Sequence, residues 1–240
     1  MVLRSEDPQN ENTMKLSFLP ILTLAGALAV PSFALPSFPL TFNDSTVAGD
    51  VIGNASQFDI TQLRFTNFNS ATKTFTVDIF MNYGGGVSLA PFGGMNVGDL
   101  LFTKGANRYF VPLVNRTGLV AGNLYSATSF ITAGTLVGGS AGRPTENVWG
   151  NVTGSTNLGT GSVSTACVGC PTDPNKIQVT VNFVANNAFI NGFDGSSFSF
   201  SSATCANDII QGVVPVPEPG TWMLLSVGLV GLGLFRRRAA

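Results

Sequence analysis

The clearest signal along the chain is a period of two. Phe75, Val77, Ile79 and Met81 alternate with Thr74, Thr76, Asp78 and Phe80. Ile177, Val179, Val181 and Phe183 alternate with Gln178, Thr180 and Asn182, and Phe198 and Phe200 with Ser197, Ser199 and Ser201. Successive side chains on a strand point to opposite faces, so the pattern predicts strands with one apolar and one polar face. Around Phe58, Ile60, Leu63 and Phe65 the parity slips at Thr61-Gln62, which predicts a bulge. Further strands are expected within residues 100–102, 109–114 and 129–132. Turn chemistry separates these runs at Asn69-Ser70, Gly84-Gly85-Gly86, Gly93-Gly94, Gly138-Gly139 and Asn191-Gly192. No stretch of the body sustains a 3.6-residue apolar period. Short strands with Gly-rich turns predict an all-β body over residues 35–212, an antiparallel β-sandwich. Residues 141–165, rich in Gly, Ser, Thr and Asn, are expected to form a long exposed loop.

Both ends break the pattern. Lys15 precedes an apolar run over residues 16–30, and Pro31 is followed by the small-x-small triplet Ser32-Phe33-Ala34. That layout predicts a secretory signal peptide, helical in its apolar run and cleaved between Ala34 and Leu35. Residues 1–13 are polar and unlike the start of such a signal, so synthesis is expected to begin at Met14. No Cys stands near the cleavage site, so lipoprotein processing is not indicated. At the other end, residues 213–240 form a linker and tail. Pro217-Glu218-Pro219 is followed by an apolar run over residues 221–235 and by Arg236-Arg237-Arg238. The prolines hold the segment extended. The run spans about 22 Å as a transmembrane helix, short of a hydrocarbon core of about 30 Å. Trp222 fits an interface, and the three arginines form a membrane stop on the cytoplasmic side.

Motif, apolar run and basic end, in that order, resemble the PEP-CTERM sorting signal of exopolysaccharide-producing Gram-negative bacteria. The resemblance implies recognition by a membrane-embedded exosortase, which removes the tail near Pro217-Glu218-Pro219. With signal peptidase acting at the other end, the chain would sit transiently in the inner membrane, its body on the periplasmic side, and then reach the cell surface or the extracellular space. The sortase motif L-P-x-T-G is absent. Three body phrases, D-I-F-M-N-Y-G-G-G, V-G-D-L-L-F and F-S-S-A-T-C-A-N-D, resemble a group of PEP-CTERM proteins, a likeness that implies no activity.

Composition narrows the chemistry. Of 240 residues 10% are charged, 28 are Gly, 19 are Phe and none is His. Without His the commonest general base and metal ligand are missing. Residues 35–216 carry 7 basic and 9 acidic side chains, 7 − 9 = −2, with no basic stripe, so no nucleic-acid partner is expected. Serines are plentiful, but no His is present to complete a Ser-His-Asp triad, and Gly84-Gly85-Gly86 precedes no Lys-Ser/Thr. No catalytic residue, cofactor or metal is expected. Asp44, Asp50, Asp173 and Asp194 stand in loop-like sequence that would suit calcium, but D-x-D-x-D-G spacing is missing.

The three cysteines, Cys167, Cys170 and Cys205, all lie in the part expected outside, where disulfides form. Cys167-Val168-Gly169-Cys170 precedes Pro171 instead of opening a helix, and one C-x-x-C without His is a poor zinc site. The favoured bridge is Cys170 to Cys205, with Cys167 as alternative partner. The Asn-x-Ser/Thr triplets at Asn43, Asn54, Asn115 and Asn151 read as a polar surface, not as glycan acceptors. These features suggest a structural or adhesive protein of the cell surface or extracellular matrix, without enzymatic activity. The alternative is a carbohydrate-binding module for exopolysaccharide, with Tyr109, Trp149 and Tyr125 as stacking residues. A hydrolase with paired carboxylates is the weakest reading.

Overall fold

A computed structural model describes residues 35–44 and 51–216. The signal peptide up to Ala34, the start at Met14, Asp50, the motif at Pro217-Glu218-Pro219, the apolar tail and Arg236-Arg237-Arg238 lie outside the described residues. The alternating runs form two antiparallel sheets packed face to face. The first contains β1 (Leu40–Asn43), β2 (Ile60–Asn69), β3 (Thr74–Asn82), β10 (Gly161–Cys167) and β11 (Lys176–Val184), in the order β1-β2-β3-β11-β10. The second contains β4 (Leu100–Lys104), β5 (Asn107–Val111), β6 (Leu124–Ala127), β9 (Thr156–Gly159), β12 (Ser197–Ser201) and β13 (Ile209–Val213), in the order β13-β12-β4-β5-β6-β9. A small pair, β7 (Phe130–Thr132) and β8 (Asn147–Gly150), lies beside them. Among the described residues no helix is long and apolar enough to cross a membrane.

The period of two fixes which residues face inward. Phe75, Val77, Ile79 and Met81 of β3 and Ile177, Val179, Val181 and Phe183 of β11 are buried, in register as Met81–Ile177, Ile79–Val179, Val77–Val181 and Phe75–Phe183. The parity slip at Thr61-Gln62 is a register shift between Ile60 and Gln62 against β3. Across the core, Leu100, Phe102, Val111, Phe198 and Phe200 of the second sheet meet the first. Each fully buried Phe contributes on the order of 2–3 kcal/mol.

Two expectations are corrected. The segment 141–165 is not one exposed loop, because β8, β9 and most of β10 run through it. Its small polar residues hide the alternation, and β9 and β10 are edge strands that bury little. Asn191-Gly192 is not a turn but part of a helix, α3 (Asn187–Phe193), which follows α1 (Ala55–Phe58) and α2 (Ala133–Val137). The Asn186 side chain caps α3 by accepting from Phe189 N–H at 2.8 Å. Phe189 and Phe193, four apart and so on one face, plug the core. Phe193 lies 4.7 Å from the Phe75 ring and 5.3 Å from Phe65, centroid to centroid.

Candidate functional site

The body hands over to the sorting segment at one edge of the second sheet. β13 ends at Val213, and Val214 is still pinned: its N–H donates to Ser196 O and its carbonyl accepts from Gly195 N–H, both at 2.9 Å. Val214 is buried, whereas Val216 is 63% exposed. Pro215 and Val216 are therefore all that separates the last body hydrogen bond from Pro217.

At the β10–β11 turn the structure corrects the expected cysteine pairing. Cys167 bonds Cys170, with Cα atoms 5.6 Å apart. Cys205 is free and buried, packed with Phe58 and Ala203, and its Sγ lies 2.7 Å from Met95 Sδ and against the Asn207 side chain. Burial pushes its thiol pKa up. The pairing follows from the ladder: β10 ends at Cys167 and turns back at once into β11, which keeps Cys170 local. Nearby, burial and then the Cys205 charge, partly offset by a backbone hydrogen bond from Val97, push Tyr83 up to about 12.

The three aromatic residues singled out for sugar stacking are engaged elsewhere. Tyr109 is buried with its ring edge-on to Phe189 at 5.2 Å. Tyr125 is buried, stacks on Phe110 at 5.3 Å and accepts from Val120 N–H. Trp149 is half-buried, donates from Nε1 to Val97 O at 3.1 Å, and carries the Arg116 guanidinium 4.0 Å above its ring. Arg116 Nη2 in turn reaches Asp99 Oδ2 at 2.6 Å, and that oxygen also accepts from Gly150 N–H at 2.9 Å. Asp99 has no exposed surface, and burial raises its pKa to about 6 against the pull of Arg116 and Gly150. This buried set, invisible in the sequence, ties β4, β8 and the loop after β5 together.

Two further features face outward or gather charge. On the outer face of the first sheet, Thr61, Gln62, Phe80, Asn82, Val168 and Lys176 line a shallow groove of about 190 Å³. Phe80 is its half-buried aromatic, with Arg64 at 5.4 Å from the ring. Asp44, Asp59 and Asp208 each bring one carboxylate oxygen to within 4.8 Å of the others. Asp208 is fully buried and also accepts from Ile60 N–H and Ile209 N–H. Such an oxygen set is of the kind that holds a divalent cation. Of the aspartates singled out in the sequence only Asp44 belongs to it. Asp173 caps the turn at Asn175, and Asp194 sits beside Lys104, with burial raising its pKa and Lys104 opposing. Asp59 and Asp208 were not legible because the fold joins positions 149 apart (208 − 59 = 149).

Comparison with known proteins adds one match. A family model for the PEP-CTERM protein-sorting motif matches residues 215–238, which include the Pro-Glu-Pro triplet, the apolar run and the arginines. No curated protein and no solved structure matches the chain. The motif makes exosortase the processing partner and the chain an exported one, sorted through the membrane. The β-rich body thus belongs to a protein that carries a PEP-CTERM sorting motif.

Proposed function

We propose that the chain is a structural component of the cell surface or extracellular matrix, delivered by exosortase and left outside as a compact β-sandwich. The observation that carries this reading is the position of the matched motif, which begins where the sandwich makes its last backbone hydrogen bonds. Cleavage near Pro217-Glu218-Pro219 then releases a body whose buried core residues, from Phe58 to Val214, all precede the cut. The reading assigns no catalytic step and no cofactor. Mass spectrometry of the mature protein tests it. A surface-exposed product ending near Pro217 is expected, with uncleaved chain accumulating in membranes of cells lacking exosortase. A mature surface protein that retains Arg236 to Arg238 would overturn it.

A second reading, binding of exopolysaccharide, draws support from the groove beside Phe80. Its ring and the side-chain amides of Gln62 and Asn82 have the chemistry that meets a sugar ring. Retention of the chain on matrix polysaccharide that is lost in Phe80→Ala supports it. Equal passage of both proteins through such a column removes it.

A further inference from the structure

The Cys167–Cys170 bridge closes a ring inside a single turn, and the turn is already held without it. Val168 N–H donates to Lys176 O at 2.9 Å, Asp173 N–H to Gly169 O at 2.9 Å, and Thr172 Oγ1 to Gly169 O at 3.0 Å. Asn175 N–H donates to Asp173 Oδ1 at 3.2 Å. Gly169 is fitted to this turn, since a Cβ there would stand 2.4 Å from Asp173 O. A disulfide restrains the unfolded chain less the shorter the loop it closes, and this one spans a sequence separation of 3. It joins no two distant parts of the sandwich. The two sulfurs also differ in access: Cys170 is exposed, whereas Cys167, the last residue of β10, is half-buried. Cys167 Sγ lies 3.8 Å from the Asp173 carbonyl oxygen, so a thiol released there has an acceptor at hand.

We propose that Cys167–Cys170 is an exchangeable disulfide that takes up small or protein thiols from outside, with Cys170 as the sulfur that is attacked. An incoming thiolate forms a bond to Cys170 Sγ, the bond between the two cysteines breaks, and its electron pair leaves on Cys167. The proton lost by the incoming thiol ends on Cys167, so RSH plus the bridge gives a mixed disulfide on Cys170 and a thiol at Cys167. Nothing is oxidised or reduced overall. A second thiol attacking the mixed disulfide releases RSSR and leaves the dithiol, the reducing equivalents coming from the two thiols. Exposed, unneeded bridges are the ones open to such exchange, since rate follows access and the leaving sulfur.

The test uses the oxidised full chain in a mild detergent, with reduced glutathione as the probe, quenched by alkylation and mapped by peptide mass. The expected product carries glutathione on Cys170 and an alkylated Cys167, with Cys205 unmodified and the near-ultraviolet circular dichroism unchanged. A bridge that opens only together with loss of that signal would overturn the proposal, as would glutathione found on Cys167. Single variants check the attacked sulfur separately. The free Cys170 of Cys167→Ser should react with an aromatic disulfide reagent at least about tenfold faster than the free Cys167 of Cys170→Ser. Equal rates would remove the assignment to Cys170.

Discussion

Arg116→Ala removes the guanidinium that faces Asp99 and leaves that carboxylate with only the Gly150 N–H. The Asp99 side chain is 0% exposed and that of Arg116 15%, so water makes up little of the loss. In the intact protein Asp99 titrates at about 6, above the ordinary aspartate value of 3.8, because burial outweighs Arg116 and Gly150. Between those values the folded protein holds a proton that the unfolded chain has released. Stability from this group therefore falls as pH rises from 3.8 to 6 and is level above. The difference, 6 − 3.8 = 2.2, corresponds to about 3 kcal/mol. Without Arg116 the two leading influences that lower the pKa are gone, so Asp99 titrates higher still and the falling limb runs past pH 6. A buried carboxylate stripped of its partner costs about 3–5 kcal/mol. That cost applies at pH 8 and shrinks at pH 5, where Asp99 is neutral. Loss of the stack on Trp149, about 1 kcal/mol, remains at both. Guanidinium chloride unfolding of the two proteins at pH 5 and pH 8 measures this. A loss that is the same at both pH values, or below about 1 kcal/mol at pH 8, would refute the reasoning.

Phe193→Ala should cost about 3–5 kcal/mol in the same assay, because α3 loses the ring that packs between Phe65 and Phe75. Gly150→Ala places a Cβ 2.1 Å from Phe110 Cγ and should lower stability by about 1–3 kcal/mol, read as a drop in Tm. Deleting Pro215 and Val216 draws Pro217 up to Val214, whose backbone is bound to Gly195 and Ser196. Uncleaved precursor should then accumulate in pulse–chase labelling, and inserting four Gly-Ser residues before Pro217 should restore processing.

Legibility followed burial. The strands β3, β11 and β12 were plain in the sequence because one face of each is filled with Phe, Val and Ile and the other with Thr, Ser and Asn. β9 and β10 were not, because edge strands of Gly, Ser and Thr carry almost no apolar contrast. α3 escaped for a different reason: its seven residues bury only two positions, Phe189 and Phe193, too few to outweigh the Asn-Gly turn signal. Likewise, Asp99 and Arg116, and the trio Asp44, Asp59 and Asp208, come together through long-range strand order, which no local spacing encodes. The sorting motif lies at the other extreme. Its information is linear, two prolines around one glutamate followed by an apolar run and arginines, so it was readable without any fold.

That difference explains how one chain carries both. Under the proposed function, a segment handed to exosortase must not be consumed by the fold, and here the ladder stops at Val213 with one further pinned residue, Val214. Pro215 cannot donate to a continuing strand, so β13 ends at that point for a local chemical reason. Val216 is left exposed, and the body keeps its whole described core on the N-terminal side of the motif. The cysteine pairing obeys the same division. A bridge from Cys170 to Cys205 would have joined the turn before β11 to the segment just ahead of β13, coupling the redox state of the surface loop to the strand that leads into the motif. With the bridge confined to the β10–β11 turn and Cys205 buried beside Met95, thiol chemistry at the turn leaves that strand untouched.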